Sequence, residues 1–141
     1  MSNNATGVTV RTVHGDGVEL AVQERGDTEH PTVLLVHGYP DTQAVWAPVA
    51  ARLADRFHVV TYDVRGAGGS SVPSGTEPYR FEHLMNDLRA VLDAVRPGDP
   101  VHLVGHDWGS IQSWEAVTTM ADRFASFTSI SGPCLDHVAH W

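Results

Sequence analysis

Val104-Gly105-His106-Asp107-Trp108-Gly109-Ser110 is the stretch on which the reading of this chain turns. An apolar run, Val101 to Val104, leads into it, and Ile111, Trp114 and Val117 follow at helical spacing between Ser110 and Met120. The stretch therefore reads as a tight turn from a buried strand into a helix, with small residues at Gly105 and Gly109 where the chain must reverse sharply. That is the layout of a nucleophile elbow, whose familiar form, G-x-S-x-G, carries a central serine. Here the central residue is Asp107. A carboxylate with an unperturbed pKa of about 3.9 is ionised at neutral pH and attacks carbon without a base to take its proton. Attack on an epoxide or an alkyl halide gives an ester. The simpler alternative is an aspartate that only satisfies free N–H groups at a helix start.

Working outward, the chain alternates strand and helix. Val8 to Val13 and Val18 to Val22 read as strands joined by His14-Gly15-Asp16-Gly17, an opening hairpin. After the polar break Gly26 to Pro31, Thr32 to Val36 is an uninterrupted apolar run of the kind buried on both faces of a parallel sheet. Asp41 to Leu53 places Val45, Trp46, Val49 and Leu53 at helical spacing, and Phe57 to Tyr62 is a further buried strand. Arg65 to Gly75 is a glycine- and serine-rich loop. Phe81, Leu84, Met85, Leu88, Leu92 and Val95 then mark one helix face, stopped by Pro97-Gly98. Ala125 to Ile130 is a last strand, and Ser131 to Trp141 trails off without strands to cover it, which predicts a bare sheet edge. The alternation implies parallel pairing with right-handed crossovers, one α/β domain over 1–141, and ligands at the carboxyl ends of the strands. Trp46 and Trp114 are expected in the core, and His106 is expected to pack on the far side of the turn.

Composition narrows the function. With 42% hydrophobic and 18% charged residues, 141 residues suffice for one core. Nine basic against 17 acidic residues give a formal charge of -8, which argues against nucleic acid or an anionic membrane as a partner. The single cysteine, Cys134, fits a reducing cytosol. Met1 to Gly7 lacks the basic start and apolar core of a signal peptide, and no apolar run approaches the roughly 20 residues that span a bilayer. A cytoplasmic protein is expected. Gly66, Gly68 and Gly69 do not make a phosphate loop, because Ser71 breaks the G-x-G-x-x-G spacing and no lysine follows. His137 and His140 lack a third ligand, so no metal site is expected.

An ester on Asp107 would be hydrolysed by an activated water, through an oxyanion on the former Asp107 carbonyl that needs waiting donors. The backbone N–H of Trp108 is one candidate; the loop His37-Gly38-Tyr39-Pro40, after the strand ending at Val36, offers the N–H of Tyr39 as the other. His37 is expected to fix that loop by hydrogen bonds. Asp63, Arg65 and Ser70 are expected to be structural, holding a second loop near the site.

Three motifs now stand in order: H-G-x-P at His37 to Pro40, D-x-R-G-x-G-x-S at Asp63, Arg65, Gly66, Gly68 and Ser70, and the elbow at Gly105 to Ser110. In these the chain resembles the α/β-hydrolase family, specifically its epoxide hydrolase and dehalogenase branch. The resemblance covers nearly the whole chain and implies the amino-terminal part of the fold, without its cap and last strands. It implies Asp107 as nucleophile, Tyr39 and Trp108 as oxyanion donors, and His37, Gly38, Pro40, Gly105 and Gly109 as residues that shape the site. The aromatic Tyr39, where dehalogenases usually place asparagine or glutamate to hold halide, implies epoxide opening to a vicinal diol. The expected partners are a small apolar epoxide and water, with no cofactor or metal. The stretch from Trp108 to Trp141 is also similar to actinobacterial proteins in which such a domain precedes a short-chain dehydrogenase domain.

The family takes its catalytic histidine, orienting acid and epoxide-protonating tyrosines from later strands and from the cap, so the resemblance also implies a missing carboxyl-terminal portion of the same protein. Two alternatives stay open. One is hydrolytic dehalogenation by the same nucleophile; the other is a non-catalytic half-domain that acts as a binding or assembly module.

Overall fold

Runs without polar alternation go where both faces of a sheet are covered. Thr32–Val36 (β4) and His58–Tyr62 (β5) are such runs, and each is buried along its whole length. A computed structural model describes residues 2–3 and 7–140 of the chain. Met1, residues 4–6 and Trp141 lie outside the described residues, and with them most of the polar start and the last residue of the trailing end. The remaining strands are β1 (Ser2–Asn3), β2 (Val8–His14), β3 (Glu19–Arg25), β6 (Val101–His106) and β7 (Phe124–Ile130). The helices are α1 (Ala47–Leu53), α2 (Phe81–Val95), α3 (Trp108–Thr119) and the single-turn α4 (Leu135–Val138). One sheet contains all seven strands in the order β1-β2-β3-β5-β4-β6-β7. The hairpin strands are antiparallel, as is the β3–β5 pair, and the strands that alternate with helices (β5, β4, β6 and β7) are parallel.

The period of two along β4 sorts its side chains onto two layers. Leu34 and Val36 face the larger core, built with Val60, Leu103 and the α2 residues Leu88 and Leu92. Val33 and Leu35 face the smaller one, built with Val59, Trp46 and Ala50 of α1. Truncating one of these buried leucines to alanine costs about 2–5 kcal/mol, so the two layers hold the central strands firmly.

Several boundaries differ from the sequence reading. The second hairpin strand runs Glu19–Arg25 rather than Val18 to Val22, because its last residues pair with β5 as well as with β2. The predicted helix from Asp41 begins as a 3-10 turn, Gln43–Trp46, capped by the Thr42 side chain; α1 proper starts only at Ala47, with Pro48 in its first turn. The helix after the elbow starts at Trp108, not Ser110, and the strand before it extends to His106. Trp114 is half-buried rather than core: it meets Phe127 edge-on at 5.0 Å and donates from Nε1 to the Gly132 carbonyl. Trp46 is core, and His106 packs edge-on against it. β7 is the outermost strand and is largely exposed.

Candidate active site

The site lies where the parallel β4–β6 ladder ends. Val36 of β4 stands in register with Gly105 of β6, so the loops that leave these strands, His37 to Pro40 and Asp107 to Ser110, emerge side by side. Asp107 sits at φ 56, ψ -127, a conformation that favours glycine and costs a residue with a side chain about 1–3 kcal/mol. Its neighbours make room for the bend. A Cβ on Gly105 would come within 2.6 Å of the Gly109 carbonyl oxygen, and one on Gly109 within 2.5 Å of the His37 carbonyl oxygen. Helix α3 closes directly onto the turn, with the Ser110 and Ile111 amides donating to the Asp107 carbonyl at 2.9 and 3.1 Å.

Asp107 does not cap α3: its side chain makes no capping bond to the helix. Instead its Oδ2 accepts the backbone N–H of Tyr39 at 2.9 Å. The N–H groups of Trp108 and Tyr39 together hold the Asp107 carboxyl below its ordinary pKa, against a smaller opposing effect of burial. The Tyr39 N–H, one of the two expected oxyanion donors, is thus hydrogen-bonded to the Asp107 carboxylate. Gly38 makes the approach possible, since a Cβ there would stand 2.5 Å from both the Cβ and Oδ2 of Asp107. Tyr39 and Trp108, whose amides act on the carboxylate, are 79% and 55% exposed, so apolar surface faces outward at the site.

His37 is fully buried and fixes this loop. Its Nε2 lies 3.1 Å from the Val64 amide, which can only donate; Nδ1 must therefore carry the proton, and it donates to the Gly38 carbonyl at 2.9 Å. Pro40 follows through a cis peptide bond. The second motif is a scaffold of buried polar groups. Asp63 accepts the Gln43 and Gly69 amides at 2.8 and 2.9 Å, and Ser70 donates to the Asp63 carbonyl. Arg65 forms a bidentate pair with Asp87 of α2 at 2.7 Å, both side chains being 2% exposed, and also donates to the carbonyls of Pro78 and Asp16.

Sequence reading did not single out Asp87, which sits on the core face of α2 among apolar residues, nor Gln43, which ties Ala21, Thr61 and Asp63 together. It also passed over Tyr79 and Gln112, and read Phe81 and Leu84 only as part of a helix face; all four line a cavity of about 340 Å³ together with Tyr39 and Trp108. Only Gln112 carried a usable signal: it follows Trp108 by one helical turn and shares its face. Among the described residues no group of three or more His, Cys, Asp or Glu side chains could hold a metal ion, and no helix is long and apolar enough to cross a membrane.

With this geometry in hand, comparison with known proteins is informative. Residues 31–141 match the family described as alpha/beta hydrolase fold. A probable oxidoreductase, EphD, of Mycobacterium tuberculosis is 47% identical over 128 residues, which cover 89% of this chain and 22% of that protein. Epoxide hydrolase A of the same organism is 41% identical over 128 residues, covering 90% of this chain and 39% of that protein. Among solved structures, an epoxide hydrolase from Vigna radiata superposes with a TM-score of 0.85 at 30% identity, covering 90% of this chain and 41% of that one. Epoxide Hydrolase A from Mycobacterium thermoresistibile gives 0.80 at 36%, covering 85% and 38%. The chain thus spans between about a fifth and two fifths of the length of these proteins. A strand-turn-helix elbow at the end of a mostly parallel sheet, the His37 to Pro40 loop beside it and a family match over residues 31–141 lead to one conclusion: this chain belongs to the alpha/beta hydrolase fold family.

Proposed function

We propose that this chain carries the nucleophile and oxyanion donors of an epoxide hydrolase. One Asp107 carboxylate oxygen attacks an oxirane carbon, the C–O bond of the ring breaks, and its electron pair leaves with the oxide oxygen, which takes up a proton. The product is a hydroxyalkyl ester of Asp107. Water then adds to the ester carbonyl carbon, and the N–H groups of Tyr39 and Trp108 receive the oxyanion that forms. Collapse expels the diol and leaves a water-derived oxygen in the Asp107 carboxylate. No cofactor or metal enters this sequence.

The observation that carries the reading is the Tyr39 N–H on Asp107 Oδ2 at 2.9 Å, which unites an ionised nucleophile with a donor for its tetrahedral intermediate. Tyr39 itself, an aromatic where dehalogenases usually place asparagine or glutamate to hold halide, favours epoxide opening over halide displacement. The names of similar proteins support the same chemistry. A remaining portion of the same protein would supply the water-activating histidine and the acid that protonates the oxide. That a similar protein named a probable oxidoreductase is covered to only 22% supports an adjoining dehydrogenase region. The free Cys134 supports a cytoplasmic location.

The test is a single turnover in ¹⁸O-water, with the longest natural protein that contains this sequence in excess over an aryl epoxide, followed by mass analysis of the diol and of the peptide containing Asp107. The expected result is an unlabelled diol and one ¹⁸O in Asp107, with no turnover in the Asp107→Ala variant. First-turnover diol carrying ¹⁸O would overturn the reading, because water would then have attacked the epoxide directly.

A further inference from the structure

The cavity beside the nucleophile is walled on most sides by carbon. Val64, Tyr79, Phe81 and Leu84 line it together with Tyr39 and Trp108, the two residues whose backbone amides act on the Asp107 carboxyl. At about 340 Å³ it has room for an aryl or branched alkyl group. Its polar groups are mostly committed elsewhere. The Tyr79 hydroxyl donates to the Pro73 carbonyl at 2.9 Å, and the Arg65 guanidinium is spent on Asp87 and on the carbonyls of Pro78 and Asp16.

Gln112 is different. It is 5% exposed, it lines the same cavity, and its buried Oε1 has no hydrogen-bond partner among the described residues. A buried amide oxygen left unmatched in a folded protein calls for an explanation, and most such groups find a partner. The terminal torsion of a glutamine is broad and roughly two-fold, so a half-turn exchanges the positions of the amide oxygen and nitrogen without moving the chain. The acceptor can thus be presented to whatever occupies the cavity.

We propose that Gln112 is a specificity-determining residue that accepts a hydrogen bond from a hydroxyl group on the substrate's arm. The arm is an apolar group seated between Tyr79, Phe81 and Leu84, and the hydroxyl lies on the side that faces α3. This assignment rests on the proposed epoxide hydrolase reading, since the arm extends from the epoxide that Asp107 attacks. It adds a substrate class: epoxides with an apolar arm bearing a hydroxyl, preferred over the same epoxides without it. An acceptor that stays unmatched when a plain aryl arm is bound, and becomes matched when a hydroxyl is present, gives a preference of about two- to tenfold.

The experiment uses the longest natural protein that contains this sequence and two epoxides, a phenyl-bearing terminal epoxide and its analogue with one hydroxymethyl group on the ring. Propylene oxide, which has no arm to fill the cavity, is the third substrate. The readouts are single-turnover ester formation on Asp107 by intact mass, and kcat/KM, in the unsubstituted protein and in Gln112→Leu. The expected result is a two- to tenfold preference for the hydroxymethyl compound that falls to one or below in Gln112→Leu. An equal ratio in both proteins overturns the assignment. Should Gln112→Leu not fold, Gln112→Glu keeps an acceptor at the same length and must keep or raise the preference; a ratio of one there overturns it. Ester from propylene oxide but from neither aryl epoxide also overturns it while leaving the Asp107 reading intact. Absence of ester from all three overturns the Asp107 reading beneath it.

Discussion

The backbone N–H of Tyr39 and the carboxylate of Asp107, 68 residues apart in sequence, meet at 2.9 Å because β4 and β6 end in register. The donor is therefore in place before any ester forms, and the loop that holds it is braced from behind by His37. Removing such a donor from an acyl-transfer site typically costs two to three orders of magnitude in rate.

Gly38→Ala tests that approach. The added methyl would stand 2.5 Å from the Cβ and Oδ2 of Asp107 and 2.8 Å from the His106 carbonyl oxygen, so the loop must move away. Ester formation on Asp107 is expected to slow about a hundredfold or more. A rate within threefold of the unsubstituted protein, measured by intact mass over time, would show that the Tyr39 amide is not needed where it lies.

The pH dependence of ester formation follows from the direction of the Asp107 shift. Because the Trp108 and Tyr39 amides lower its pKa, the nucleophile stays ionised below the ordinary carboxylate range. The rate of alkylation by an epoxide is expected to stay level as the pH falls from 7 to about 5, and to drop only below the ordinary aspartate value of about 4. A drop centred near pH 6 would point to another titrating group.

The Arg65–Asp87 pair is 2% exposed on both sides and joins the loop beside the site to α2. Asp87→Ala leaves a buried guanidinium without its partner, and is expected to lower unfolding free energy by about 3–5 kcal/mol. Replacing both, as Arg65→Met with Asp87→Leu, should recover most of that loss. Urea unfolding of the two variants makes the comparison, and equal losses would mean that the pair is not what couples the loop to α2.

At the other end of the sheet, Glu24 faces the buried His58 at 3.3 Å, with Arg11 at 3.7 Å. Burial alone raises the Glu24 pKa, but hydrogen bonding and charge from His58, together with Arg11, outweigh it, so the carboxyl lies below its ordinary value of 4.5. The stabilisation is complete above that ordinary value and is lost as the pH falls through the lower, folded one. Glu24→Gln should therefore destabilise by about 1 kcal/mol at pH 6 and by much less at pH 3.5. A pH-independent difference in urea unfolding would exclude the linkage.

What could be read from the sequence was what rests on period and on short-range geometry. The helix over Phe81 to Val95 was legible because its apolar residues fall on one face, and the elbow because a turn that tight needs Gly105 and Gly109. Asp87 was not legible as a core residue: its burial depends on Arg65, which arrives from a loop 22 residues earlier. The 3-10 start at Gln43 depends on the Thr42 cap and on the pull of Asp63 on the Gln43 amide, neither of which periodicity registers. Gln112 looked like an ordinary helix residue because its neighbours in the cavity come from three separate segments.

The bend at Asp107 is maintained by the residues around it, for the aspartate side chain makes no capping bond to the helix it precedes. Shape and reactivity are therefore separable at this position. The turn behaves as a socket, and the side chain plugged into it can be exchanged without rebuilding the walls. On the proposed reading, a lineage that holds this backbone constant can move between ester-forming carboxylates and other short nucleophiles by single-codon steps, keeping the Tyr39 and Trp108 amides beside the reacting group.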